Sequence, residues 1–446
     1  MANTEPDVAR HDATAGPTAT PGAGRTAWVD VAKGISISLV VLQHVVGSLI
    51  PLGWAPEVAQ DVSAVFTSQR MPLFFLASGI FATRILAGPW RRLAEHRLAF
   101  LVWLYVLWCV IRYVWFALLA HGTDLGSWPS LLGVLSELWL PASALWFIYA
   151  LALFSVIGRA TRAVPAAIRL GAAVVLSALV GSGTVVIESY AWRVMAVNLV
   201  FFLLGADASV VIRGIAVGLS RGAATGVAVV ATAAFVGLTI PLRFHGAAAV
   251  PGMRLVTSAV ALLAGVALAV AIAGTRVGRP AQWLGSRTLD VYLLHGLLLA
   301  AVVRVGIAVH PGGLGGGPGT VLVLGTTAGV VVVCLAAARG LRVVGAGWLF
   351  APPWHGREDR AAASSDRDPD PTAGRGRGSA QRVAARCSGA GRREGDGPMQ
   401  DGINLGAALA GIRRDDERYA DTLMLSALPG APVVPDHPGL LRRIRL

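Results

Sequence analysis

The sequence predicts an all-α, polytopic membrane protein of about ten transmembrane helices, flanked by disordered amino- and carboxyl-terminal tails. Three observations predict it. Hydrophobic residues fill 55% of the 446 positions and charged residues only 14%, at a mean hydropathy of +0.63. A soluble domain uses about 25% charged residues to cover its surface, so most of this chain faces lipid. Apolar stretches of about 20 residues, long enough to cross a bilayer at 1.5 Å per residue, recur along the chain. Arginine collects in alternate loops between them.

Residues 1–24 are polar, rich in Ala, Thr, Pro and Gly, and without hydrophobic periodicity, the composition of a disordered tail. They lack the basic start and apolar core of a cleavable signal peptide, so the first membrane helix serves as its own insertion signal. The membrane body covers 25–345. Its expected spans are 33–52, 63–87, 97–120, 143–160, 167–187, 191–212, 222–241, 252–274, 288–308 and 319–338, punctuated by Pro51, Pro89, Pro141, Pro165, Pro241, Pro280 and Pro311. Residues 346–446 form a cytoplasmic, mostly disordered tail, because Arg, Asp, Gly, Ser and Ala bury too little apolar area to fold.

The loops orient the body. One set holds Arg84, Arg91, Arg92 and Arg97, then Arg159, Arg162 and Arg169, then Arg213 and Arg221, then Arg276, Arg279 and Arg287, and finally Arg339 and Arg342. The opposite set holds Arg70, Arg193, Arg243 and Arg254. The bias places both termini in the cytoplasm of a cell carrying the protein in its inner membrane. It also accounts for the net charge of +13 as topology control and contact with anionic lipid, so no nucleic-acid partner is expected. The three cysteines, Cys109, Cys334 and Cys387, are scattered, with no metal-ligand spacing and no metal expected. No repeat of 20 to 50 residues is visible.

Ionisable groups inside spans cost roughly 2.5–3.5 kcal/mol on insertion scales, so each is a functional candidate. Lys33, His44, Arg112, His295 and Arg304 stand out. Arg112 and Arg304 are close enough to span ends to snorkel. Lys33, the chain's only lysine, and His44 are eleven positions apart on the first span, close to three turns. Both project from one face, roughly 16 Å apart along the axis. Such a line suits a long ligand entering from the cytoplasm, its anionic end at Lys33 and its reactive tip at His44. A neutral imidazole there can take a proton from an alcohol. The alternative for Lys33 is a snorkelling anchor paired with Asp30. For His44 and His295 the alternative is a hydrogen bond between helices. Tyr292 lies three residues before His295. Ser78-Gly79 reads as a small pair that admits another helix, and Trp139 to Tyr149 as an aromatic belt.

Four passages together resemble the membrane-bound acyltransferase 3 family, in particular its fucose 4-O-acetylase-like branch. They are Asp30-x-x-Lys33-Gly34 followed by His44; Arg70-Met-Pro-Leu-Phe-Phe-Leu-Ala-Ser78-Gly79; Leu145-Trp-Phe-Ile-Tyr149; and Leu289-Asp-Val-Tyr292-Leu-Leu-His295. The family usually carries Arg where this chain has Lys33, which keeps the cation and loses a bidentate fork. The proline usual after the basic loop of Arg91, Arg92 and Arg97 is missing, and so is the esterase-like domain fused to some members. The resemblance implies a transmembrane acyltransferase domain over 25–345. It implies transfer of an acyl group, often acetyl, from cytoplasmic acyl-CoA as co-substrate to a hydroxyl of a cell-envelope carbohydrate, glycolipid or similar acceptor. It makes His44 and His295 the catalytic candidates. Lys33, Asp30, Arg70, Ser78, Arg91, Arg92, Arg97 and Tyr292 become candidates for binding substrate and acyl-CoA, and a basic inner surface suits the phosphates of CoA. No tightly bound cofactor is implied.

A second class stays open at this point. Intramembrane Lys33, His44 and His295 also suit a secondary transporter that relays an ion or substrate. Oligomeric state is not legible in the sequence.

Overall fold

The computed structural model describes residues 23–119, 131–141, 145–309 and 317–354. The tail expectations for 1–22 and 355–446 lie outside the described residues. Among those described, regular structure is helical, with no strand. In chain order the helices are α1 (Ala23–Leu49), α2 (Glu57–Val65), α3 (Thr67–Ala87), α4 (Trp90–Leu93), α5 (Ala99–Leu119), α6 (Leu131–Ser136), α7 (Trp146–Ala160), α8 (Ala166–Gly181), α9 (Tyr190–Asp207), α10 (Ser209–Gly218), α11 (Arg221–Phe244), α12 (Met253–Ile272), α13 (Gly278–Gly285), α14 (Thr288–Val309) and α15 (Gly317–Val343).

Among the described residues, eight helical stretches are long and apolar enough to cross a membrane: Ala27–Leu52, Glu57–Ala87, Trp90–Leu118, Tyr190–Asp207, Arg221–Leu242, Met253–Ile272, Thr288–Val309 and Pro318–Val343. Two of the ten expected spans are not among these eight. The stretches 143–160 and 167–187 become α7 and α8, apolar helices of 15 and 16 residues. At 1.5 Å per residue they reach about 22–24 Å, short of a hydrocarbon core of about 30 Å. The sequence reading counted Val185, Val186 and Ile187 into the span, but Gly183 turns the chain at φ +80° and ends α8 before them. Two further differences concern short elements. The span 191–212 breaks at Ala208 into α9 and α10, and the loop before the ninth span contains α13.

α1 is the hub of the bundle, packed against α3, α12, α13, α14 and α15. Two contacts depend on glycine for backbone approach. A Cβ on Gly79 would lie 2.1 Å from the Phe202 carbonyl oxygen, and one on Gly205 would lie 2.2 Å from that of Leu76, so α3 and α9 touch backbone to backbone. Close helix packing is therefore what Gly79 provides. Within α1, a Cβ on Gly34 would lie 1.9 Å from the Ala281 carbonyl oxygen, and one on Gly285 would lie 1.7 Å from that of Asp30. α13 is thereby pressed along the 30–34 stretch of α1, and its end leads directly into α14.

An aromatic core joins α3 to α7, with Phe75 against Phe147 at 4.6 Å and against Phe154 at 5.0 Å between ring centroids. α11 and α15 keep outward valine faces, as helices bordering lipid do. The packed chain continues past 345. The Trp108 indole donates to the Leu349 carbonyl oxygen at 2.8 Å, and Phe350 is buried against that tryptophan.

Candidate active site

The face of α1 that carries Lys33 and His44 turns into the bundle, and both side chains are 3% exposed. Neither points to lipid. The Lys33 ammonium pairs with Asp30 at 2.7 Å, the partner that the anchor alternative expects, and sits 5.4 Å from the Phe81 ring centre inside the bundle. A lone ammonium in an apolar bundle is costly, and the carboxylate three residues earlier offsets that cost. Ser36 follows one turn later, with its hydroxyl buried and no hydrogen-bond partner among the described residues.

The Lys33–Phe81 contact fixes the register of α1 against α3, which returns through the bundle after the α2 turn. Eleven residues onward on α1 is His44, and eleven residues back on α3 is Arg70. Equal steps along neighbouring helices of opposite direction place the two at about the same depth. Arg70 is 1% exposed. Its assignment to an outward loop is corrected, because the helical stretch begins at Glu57 and Arg70 lies well inside it. The neighbouring Gln69 reaches Gly265, near the middle of α12.

His44 and His295 meet. Their ring centroids are 5.3 Å apart at 49° between planes, and both side chains are buried. Chain positions 251 residues apart thus converge on one point inside the bundle. The backbone sets the tautomer of His295. Its Nδ1 lies 2.8 Å from the Tyr292 carbonyl oxygen and 3.1 Å from that of Val291. Carbonyls only accept, so Nδ1 carries the proton in the neutral ring, and Nε2 is the basic nitrogen. The Tyr292 ring stands 6.5 Å from that of His295.

The basic loop does not stay together. Arg91 and Arg92 face outward, Arg91 paired with Glu95 at 2.7 Å. Residues Ala94–Leu98 form a π-turn, whose wider winding rotates Arg97 out of step with its neighbours. Arg97 is 0% exposed, with its Nε donating to the Ser155 hydroxyl at 2.7 Å. Its Nη1 and Nη2 are buried without a hydrogen-bond partner among the described residues. Reading Arg97 as one more loop cation missed this; it is a guanidinium buried inside the bundle.

One pair went unnoticed in the sequence. Asp290, in the first turn of α14, accepts two hydrogen bonds from the Arg342 guanidinium of α15, one of them at 2.8 Å. Arg342 in turn lies over the Phe350 ring at 4.6 Å. The signal was an acidic residue in a first helical turn, facing a last-turn arginine on the next span.

The sequence matches the acyltransferase 3 family, described as an acyltransferase domain, over residues 26–339. No curated protein and no solved structure matches it. The match covers most of the chain, includes all ten candidate residues named above, and lends the transporter alternative no support. The chain belongs to the acyltransferase 3 family, whose domain here is a multi-pass, helical membrane acyltransferase.

Proposed function

We propose that the protein is an O-acyltransferase of the inner membrane, similar to the fucose 4-O-acetylase-like branch, and that it moves an acetyl group from cytoplasmic acyl-CoA to a hydroxyl of a cell-envelope carbohydrate or glycolipid. The observation that carries the reading is the meeting of two imidazoles, from α1 and α14, inside the bundle. In the proposed step His44 takes the proton of the acceptor hydroxyl as its oxygen attacks the thioester carbonyl carbon. The carbon–sulfur bond breaks, and the CoA thiolate leaves and recovers the proton from the imidazolium. His295 keeps Nε2 as its basic nitrogen because two carbonyls hold Nδ1–H, so it is suited to orient His44. Tyr292 supplies one of those carbonyls.

Arg97 supports the acyl-CoA assignment. A buried guanidinium with both Nη nitrogens unpaired is a costly feature unless an anion completes it. The inward-facing Lys33–Asp30 pair sits along the same α1 face as His44. Arg70, level with His44, would bind the acceptor or the developing oxyanion in this reading. The exposed Arg91 and Arg92 add positive potential at the loop where CoA enters. Both termini lie in the cytoplasm in this reading, by the arginine bias of the loops.

The test is turnover without a membrane gradient. Detergent-purified protein is incubated with labelled acetyl-CoA and an envelope extract, and the products are analysed by mass spectrometry. Acetyl label appearing on a glycan or glycolipid is the expected result. Absence of transfer from a folded, monodisperse preparation, together with unaltered glycans in cells lacking the gene, contradicts the proposal.

A further inference from the structure

Two of the four arginines that the sequence assigns to the opposite loops come together where α8 ends and α9 and α12 begin. Arg193 is in the first turn of α9, with its guanidinium 5.7 Å from the centre of the Tyr190 ring. Arg254 is in the first turn of α12, with its stem 3.6 Å from where a Cβ on Gly181 would lie. The Ser177 hydroxyl donates to the Val197 carbonyl oxygen at 2.9 Å, and four residues on along α8 and four back along α9 this register sets Gly181, the Arg254 contact, level with Arg193, so the two arginines share one corner. Neither forms an ion pair with a carboxylate among the described residues. Nη2 of Arg193 and Nε of Arg254 are buried and make no hydrogen bond there.

A like-charged pair whose inward donors are unused raises the energy of the bare protein, unless an anion sits between the two. We propose that Arg193 and Arg254 form a binding site for a phosphate group at the end of the bundle opposite the arginine-rich loops. Guanidinium forks match phosphate oxygens in geometry and charge. Both arginines ride on the first turns of their helices, so two positive helix ends add to the same field. Val186 is 71% exposed on the α8–α9 connection, and Val256 is 50% exposed just beyond Arg254. These apolar neighbours suit the acyl chains of a phospholipid whose headgroup phosphate occupies the site. The site is independent of the acyl-transfer chemistry and remote in sequence from the residues assigned to it.

The experiment uses the full-length protein, stripped of lipid in detergent, with its thermal midpoint as readout. The ligands are phosphatidylglycerol, inorganic phosphate, and diacylglycerol as a phosphate-free control. Phosphatidylglycerol is expected to raise the midpoint and diacylglycerol to leave it unchanged. R193Q and R254Q should each weaken half-saturation by about ten- to a hundred-fold, the worth of a charge-assisted hydrogen bond. The double variant should lose the response yet melt higher than wild type when no ligand is present, because the repulsion is gone. A purely structural role for the arginines predicts the reverse sign in that last measurement. If inorganic phosphate reproduces the rise at millimolar concentration, the site takes the free ion as well as the headgroup. If phosphatidylglycerol stabilises no more than diacylglycerol, or stabilises the double variant as much as wild type, the proposal is overturned.

Discussion

Gly34 and Gly47 lie on the same helix and predict opposite outcomes for the same substitution. A Cβ on Gly34 would stand 1.9 Å from the Ala281 carbonyl oxygen. A close carbon–oxygen contact is about 3.3 Å, so Gly34→Ala requires α13 to retreat by about 1.4 Å. The obstacle is backbone, with no flexible side chain to swing away. Overpacking of this kind costs typically 1–3 kcal/mol. Because α13 leads straight into α14, the displacement also reaches His295. At Gly47 a Cβ meets nothing within 4 Å. Alanine there removes the conformational cost of glycine in a helix, about 0.5–1 kcal/mol. The assay is thermal melting in detergent, followed by size-exclusion chromatography, alongside acetyl transfer. Gly34→Ala should melt earlier and transfer poorly, while Gly47→Ala should match or exceed wild type in stability. If Gly34→Ala proves as stable and as active as Gly47→Ala, the close packing of α13 on α1 is refuted.

Lys33→Arg keeps the cation and should hold activity within about threefold of wild type, whereas Lys33→Ala should raise the KM for acetyl-CoA roughly ten-fold and lower kcat less. Steady-state kinetics against acetyl-CoA separate the two, and a fall in kcat at unchanged KM would remove Lys33 from donor binding. Truncation provides another check. A chain ending at Trp354 should melt and transfer like the full protein. One ending at Gly345 loses the Leu349 carbonyl that accepts from the Trp108 indole and the Phe350 ring beneath Arg342. Burying that indole donor without its partner costs about 1–3 kcal/mol, so the shorter chain should melt measurably earlier, and equal midpoints would argue against the packed role of 346–354.

Hydropathy made the membrane helices legible because lipid forbids polar backbone and charge together. It could not give their register. Lipid-facing and protein-facing residues are equally apolar in a bilayer, so nothing in Val29 to Val46 says which neighbour α1 touches. His44 and His295 each stood out as intramembrane imidazoles, yet their meeting depends on tertiary packing across the whole bundle. Arg97 and Arg70 were read by sequence distance from the nearest loop. The π-turn at Ala94–Leu98 and the early start of the helical stretch at Glu57 changed both assignments. α13 escaped notice because an eight-residue helix leaves no periodic signal; only the glycines at 34 and 285 record its contact.

If His44 and His295 work as one unit, a double-mutant cycle on the transfer rate shows it. Rates of acetyl transfer are measured for wild type, His44→Ala, His295→Ala and the double variant, each confirmed as inserted and monodisperse. Each single change should lower the rate by about 10²–10⁴-fold, and the double should be no slower than the worse single. Full activity in either single variant, or losses that multiply in the double, would contradict it.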